Sequence, residues 1–284
     1  MQHLTWIITG TTRGLGRSIA AAALADGHNV VAAVRDPARM ADLAAAHPDR
    51  FAAVAYDATD SSAAAGLVQA ALERFGRIDV LVNNAGRAVV GAVEEVDDAQ
   101  LRDLMDLHLF GPASLVRAAL PAMRAQGSGT IVQMSSQGGR ISFPGVSAYS
   151  ASKFALEGWS ESLAGEVAPF GIRVMIVEPS RFRTGFHGSL EFTATADAYG
   201  DNLAALRADM AGVDGRQEGD PDKAARIIAD LVNGDELPLR LPLGAEAIER
   251  LGNAHRDGLA EIERLADLAR SADFEGVAPS ARPV

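Results

Sequence analysis

Tyr149 and Lys153 stand four residues apart in AYSASKFALEGWSESLAGEV, a stretch with helical periodicity. Side chains at i and i+4 share one helix face, so an ammonium is held beside a phenol. A free tyrosine has a pKa of about 10 and is a poor base at neutral pH. A positive charge about 4 Å away is worth about 4 kcal/mol at an effective dielectric near 20, or roughly three pKa units. The expectation is a phenol brought close to the pH at which a general acid/base works best. Ser136 supplies a hydroxyl that can hold and polarise a carbonyl.

A second motif offers a place for a nucleotide. Residues 5–9 (TWIIT) form a short apolar, β-rich run, and Gly10-Thr11-Thr12-Arg13-Gly14-Leu15-Gly16 follows at once. Residues 17–25 then read as an Ala-rich helix. Glycines let the backbone turn sharply and approach a ligand, and the helix N-terminus offers unpaired N–H groups to a pyrophosphate. The spacing is G-x-x-x-G-x-G rather than G-x-G-x-x-G, and a glycine run alone is as often a turn.

With Asn83-Asn84-Ala85-Gly86, Ser136, Tyr149-Ser150-Ala151-Ser152-Lys153, and Glu178-Pro179 followed by Thr184, five landmarks occur in one order. In these the chain resembles a short-chain dehydrogenase/reductase of the single-domain kind. The stretches FALEGWSESLAGEVAPFGI and EPSRFRTGF are most similar to bacterial relatives of 17β-hydroxysteroid dehydrogenases. The resemblance implies hydride transfer between a nicotinamide cofactor and an alcohol or carbonyl. It implies Tyr149 as proton donor, Ser136 orienting the carbonyl, and Lys153 binding the nicotinamide ribose. Gly10, Thr12, Arg13, Gly14, Leu15, Gly16, Asn83, Gly86, Pro179 and Thr184 are implied cofactor contacts, and Asp57 meets the adenine amino group or simply forms a turn.

Charge bears on the cofactor. NAD-preferring members of that family commonly carry an acid at the end of the second strand. Here the strand ends at Val34, Arg35 follows, and Arg13 sits in the glycine loop. Two guanidiniums suit a 2′-phosphate, so NADP(H) is expected over NAD(H); the alternative for each arginine is a solvated surface charge. Asp36 suits a turn or N-cap before Pro37.

The chain departs from the family's pattern at three places. His108 stands where the family usually has the Asn that orders a proton-relay water; its imidazole can keep the relay, or add an acidic limb near its ordinary pKa of about 6.5. Ser180 replaces the usual Gly after Pro179 and is expected to crowd the nicotinamide or bond near it. Arg181 and Arg183 either clamp phosphates, bind an acidic substrate group or are solvated.

At 284 residues the chain can bury one large core, and no linker divides it, so one domain over 1–284 is expected. A formal charge of −11 argues against a nucleic-acid face. Without cysteine there is no disulfide, thiolate chemistry or Cys-type zinc site. No His/Asp/Glu cluster has metal-ligand spacing; Asp106 and His108 fall on different helix faces. Met1 leads directly into the first strand, without room for a signal peptide, and no uncharged apolar run approaches the ~20 residues of a membrane helix. A cytoplasmic homo-oligomer, dimer or tetramer, is expected, with a small-molecule substrate and no nucleic-acid or membrane partner.

Strand candidates at 5–9, 29–34, 51–56, 79–83, 130–135, 173–177 and 239–241 are mostly continuous apolar runs, as a sheet covered on both faces requires. Helical stretches at 63–75, 98–124 and 150–168 lie between them. Right-handed crossovers build an α/β fold: a doubly wound, mostly parallel Rossmann-type sheet of about seven strands with helices on both faces. Residues 185–219 are polar, glycine-dotted and poorly periodic, a substrate lid or a surface insert. Residues 220–284 are a C-terminal helical region, with helices at 220–233 and 245–272 and a tail, ADFEGVAPSARPV.

Trp159 and Phe154 are expected in the core, and Glu94, Glu95, Asp97 and Asp98 are expected as surface acids near a helix start. Val89, Val90, Phe143, Val146, Phe182 and Phe186 are candidate pocket residues. The function expected is an NADP(H)-dependent oxidoreductase interconverting a hydrophobic secondary alcohol and its ketone, or an aldehyde. An NAD-preferring alcohol dehydrogenase and a non-catalytic NADPH-binding regulatory protein are the alternatives.

Overall fold

The computed structural model describes residues 3–277. Its strands, among those residues, are β1 (Thr5–Thr9), β2 (Asn29–Val34), β3 (Phe51–Ala55), β4 (Val80–Asn83), β5 (Val89–Val90), β6 (Gly129–Met134), β7 (Ile172–Pro179), β8 (Glu191–Phe192) and β9 (Arg240–Leu243). Seven of them form one sheet in the order β3-β2-β1-β4-β6-β7-β9, and every neighbouring pair is parallel. β5 and β8 make a separate two-stranded ribbon.

The α-helices are α1 (Gly14–Ala25), α2 (Ala41–Ala46), α3 (Ala64–Phe75), α4 (Asp98–Met105), α5 (Gly111–Gln126), α6 (Ser147–Val167), α7 (Gly200–Gly212), α8 (Pro221–Asn233) and α9 (Ala245–Arg270). Alternation along β1 feeds two cores. Trp6 and Ile8 pack with Ile19 and Leu24 of α1 and Ile228 of α8. Ile7 packs on the other side with Leu67 of α3, Leu115 of α5 and Leu163 of α6. Helices therefore cover both faces, and the strand order reverses between β1 and β4. The crevice at the carboxyl ends of those strands is where such sheets bind ligands.

Three expectations change. The helix read over 98–124 is two helices joined by a π-helical turn, Asp106–Phe110. Gly111 N donates to Asp106 O across the wide turn, and Pro112 has no N–H to continue a regular ladder. Segment 185–219 contains α7, which carries no apolar stripe for periodicity to detect. Phe154 is 45% exposed rather than core, while Trp159 does pack against the second core. The tail is described only as far as Val277; the rest of it, and the start at Met1, lie outside the described residues.

Candidate active site

β1 ends at Thr9, and the chain turns through Gly10 (φ 71°) and Gly14 (φ 57°), left-handed values that favour glycine. Space is as restrictive as angle. A Cβ on Gly16 would lie 2.3 Å from Asn84 Nδ2 and 2.5 Å from Gly10 O. Asn84, just past β4, donates through Nδ2 to Thr9 O at 2.9 Å and Gly10 O at 3.2 Å. Thr9 Oγ1 in turn accepts from the N–H groups of Asn84 and Ala85. The two strand ends flanking the switch point are thereby tied together. α1 starts at Gly14 with no side-chain cap and no acid in its first turn, so its N-terminal dipole is left for an anion.

These elements border a cleft of about 960 Å³, lined by Gly10, Thr12, Arg13, Gly14, Leu15 and Gly86, among others. Gly16 is not part of the lining and instead lets α1 pack on Asn84. Asn83, expected as a contact, is buried and donates to Gln133 Oε1 at 3.0 Å inside the sheet; the side chain at the cleft is that of Asn84.

Ser136, Tyr149 and Lys153 converge on this cleft. Ser136 caps a 3-10 turn (Gln137–Gly139), accepting from Gly138 N at 3.0 Å, and its hydroxyl hydrogen-bonds the Tyr149 phenol. Lys153 is 4% exposed. Its Nζ donates to Met134 O at 2.7 Å and lies 5.8 Å from the centroid of the Tyr149 ring. Burial raises the phenol above its ordinary value, and the Ser136 bond opposes this. Burial also pulls Lys153 from 10.5 down to about 7, with Glu157 acting the other way. The expected near-neutral phenol is therefore not what the protein's own residues produce. The lysine loses about half its charge at pH 7 and aims at a carbonyl. A raised value keeps Tyr149 protonated, the form that donates.

His108 does reach the site. It is 1% exposed on the π-helical turn, lines the cleft, and sits edge-on to Tyr149 with ring centroids 5.6 Å apart. The Ser152 hydroxyl donates to Tyr149 O at 2.7 Å, so its oxygen accepts from His108 Nδ1–H at 2.8 Å. That bonding assigns the tautomer: Nε2 bears the lone pair and accepts from Arg87 N at 3.4 Å. Burial, then Lys153 and Arg87, hold His108 well below 6.5. The expected acidic limb near 6.5 from its titration is thus corrected: folded His108 is neutral there.

A stability effect follows from the same shift. As pH falls below about 6.5 the unfolded chain takes up a proton that the native state refuses. The stability from this difference is present above that pH and is lost on acidification toward the depressed native value. His28 and His187, also lowered by burial, act in the same sense. His108→Asn is expected to flatten the fall of Tm between about pH 6.5 and pH 5. Equal slopes in both proteins would refute the buried neutral assignment.

Arg35, Arg39, Tyr56 and Asp57 line one end of the cleft. Asp57 Oδ1 accepts from Thr59 N at 3.0 Å and Oγ1 at 2.8 Å, which lowers its pKa, with Arg35 and Arg87 adding to the effect. Asp36 Oδ1 caps the following 3-10 turn through Ala38 N. Arg13 Nη2 donates to Ser189 Oγ at 2.7 Å, joining the glycine loop to segment 185–219. Pro179 and Thr184 line the cleft, and Thr184 also covers Gly14. The Ser180 hydroxyl is turned toward Leu243 O. Arg181 is paired with Asp209 of α7, and Arg183 donates to Gln217 O, so neither is a free clamp.

Apolar side chains also line the cleft: Val90, Phe143, Val146, Phe182 and Phe186, joined by Leu190 and Met210, which the sequence did not suggest. Val89 leaves the set; it points the other way, into Leu104 and Ala148. Glu95 is not a surface acid. Its carboxylate accepts from Ala92 N and Ala196 N and pairs with Arg207 of α7, fastening segment 185–219 to the body. Asp97 forms a capping box with Gln100 at the start of α4. Among the described residues no group of acids and histidines could hold a metal ion, and no helix is long and apolar enough to cross a membrane.

Known proteins are similar to this chain in sequence and fold. The short chain dehydrogenase family model matches residues 5–193. An oxidoreductase of Botryotinia fuckeliana is 38% identical over 266 residues, 93% of this chain and 97% of that one. The crystal structure of a short-chain dehydrogenase from Streptomyces avermitilis superposes with a TM-score of 0.90 at 46% identity, covering 96% of this chain and all of the other. A metagenomic short-chain oxidoreductase in complex with NADP gives 0.67 at 27% identity, over 85% and 96% of the two chains. The family model spans the glycine loop and six of the seven strands of the central sheet, and together with the 38% identical relative it shows that the chain belongs to the short-chain dehydrogenase/reductase family of oxidoreductases.

Proposed function

We propose that the protein is an NADP(H)-dependent oxidoreductase that interconverts a hydrophobic secondary alcohol and its ketone, or an aldehyde. One observation carries the reading: Ser136, Tyr149 and Lys153 meet in a cleft whose other end is the glycine loop and the uncapped start of α1. The cofactor fits that cradle, where added Cβ atoms on Gly10, Gly14 or Gly16 would collide with neighbours and α1 offers its dipole to a pyrophosphate. Gly10, Thr12, Gly14, Leu15, Asp57, Asn84, Gly86, Pro179 and Thr184 would hold it, with Arg13, Arg35 and Arg39 placed for a 2′-phosphate. When bound, it supplies or takes up the hydride.

The chain's own residues handle the proton and the geometry. Ser136 holds the carbonyl oxygen, and Tyr149, kept protonated by burial, gives its phenolic proton to that oxygen in reduction. Lys153, in its ammonium form, stabilises the phenolate left behind. His108 and Ser152 fix the Tyr149 backbone carbonyl and the ring's edge. Segment 185–219, fastened through Glu95–Arg207 and Arg181–Asp209, acts as the lid that excludes water. Its Leu190 and Met210, with Phe143 and Val146, select an apolar substrate.

Asp36 also lines the cleft, and this favours a second reading, an NAD-preferring alcohol dehydrogenase with Asp36 on the ribose hydroxyls. A panel of apolar ketones and secondary alcohols, assayed with NADPH and NADH at ~340 nm, separates the two. Faster turnover with NADPH is expected. Higher kcat/KM with NADH would favour the second reading, and no turnover of any carbonyl would overturn both.

A further inference from the structure

The catalytic stripe of α6 does not stop at Lys153. Tyr149, Lys153, Glu157 and Glu161 recur every four residues, so each side chain lies beside the next along the helix. Glu157 is 3% exposed. A carboxylate so buried is costly unless charges answer it. Arg240 of β9 donates through Nε to Glu157 Oε2 at 3.0 Å and through Nη2 to Glu161 Oε2 at 2.8 Å. Behind them Glu178 is fully buried at the end of β7; Arg140 Nη1 donates to it at 2.8 Å, and Arg240 Nε lies 3.6 Å away. Arg140 also meets His255 of α9. The two arginines are thus shared among three carboxylates, Glu157, Glu161 and Glu178. On the cleft side of Glu157, one turn back along the helix, the next charge is the Lys153 ammonium.

We propose that Glu157 is a positioning residue for Lys153: its buried carboxylate, anchored by Arg240, holds the lysine in its ammonium form beside the reacting phenol. This rests on the proposed function for its consequence in turnover, but not for the electrostatics. Burial drives Lys153 toward its neutral form, and Glu157 is the charge that opposes it. Burial and Glu178 push Glu157 itself toward protonation, and Ser135 and Arg240 counter them. Other groups facing Lys153 do not replace Glu157. Tyr149 on α6 is protonated, and His108 from the π-helical turn is neutral. Arg87, beyond His108, is paired with Asp103 of α4. β6 presents the Met134 carbonyl, the residues after it present the hydroxyls of Ser135 and Ser136, and β5 has no ionisable side chain. From the 3-10 turn, β7 and β9, Arg140, Glu178 and Arg240 form the paired set already described.

Lys153 and Lys223 are the chain's lysines, and Lys223 is exposed on α8. With lysine labelled at 13Cε, Lys223→Arg identifies the signal of the buried one. In the full-length protein without substrate, Lys153 should titrate at about 7. Glu157→Gln should lower that value by about one unit, cutting the charged fraction at pH 7 from roughly one half to one tenth. The basic limb of kcat/KM should move down by the same amount, and Glu157→Asp should restore most of both. A residue that only packs would lower Tm and activity without moving the lysine titration. Glu157→Met, of similar volume, is the second variant if Gln does not fold. An unmoved Lys153 titration in either folded variant would overturn the proposal, as would failure of both to fold, which would make Glu157 a structural keystone. A shifted titration in a protein that turns over no carbonyl would uphold the electrostatics and reject the function.

Discussion

Tyr149→Phe is expected to abolish turnover, with a loss of about 10²–10⁴-fold in kcat, the size of a positioned general acid. The change removes one oxygen and leaves the ring, which is packed edge-on to His108 and against the apolar wall with Val90 and Val146. The glycine loop, Asn84 and the arginines are untouched, so NADPH affinity by fluorescence titration should stay within about twofold, as surface-neutral changes do. Retained turnover above a few per cent would remove Tyr149 from the mechanism. Parallel loss of cofactor binding would mean that the variant had disturbed the cleft rather than the chemistry.

Replacing Arg13 and Arg35 by Ala should weaken NADPH far more than NADH. Removing one charge-assisted hydrogen bond costs about 1.5–3 kcal/mol, or about 10- to 150-fold in Kd. Arg13 is bonded to Ser189 across the cleft mouth, so part of its effect comes from loosening segment 185–219 and falls on both cofactors. Arg35→Ala alone is the cleaner variant, and Arg39→Ala should add to it, since Arg39 lines the same end of the cleft. Equal weakening of both cofactors by isothermal titration would contradict recognition of a 2′-phosphate. A tighter wild-type Kd for NADH would contradict it more directly and return attention to Asp36.

Much of this protein was legible in its residue order. Unbroken apolar runs marked the central strands because a parallel sheet between two helix layers has no polar face. The glycine loop announced itself because positive φ and approaches under 3 Å leave glycine alone at Gly10 and Gly14. Tyr149 and Lys153 were paired by helical geometry, which is local. Tertiary structure decided everything that depends on one residue of register or on distant neighbours. Asn83 or Asn84, Val89 or Val90: adjacent residues along or just past a strand face different ways, and only the assembled sheet says which meets the cleft. The contacts that His108 makes from the π-helical turn, with Ser152 and Arg87, and those that hold α7 against Glu95 join segments far apart in the chain. Protonation lay furthest from the sequence. Lys153 at about 7, a raised Tyr149 and a neutral His108 follow from how much water the whole fold removes and which charges it brings near. Desolvation sums over every surrounding segment, whereas an i+4 spacing reports only one neighbour.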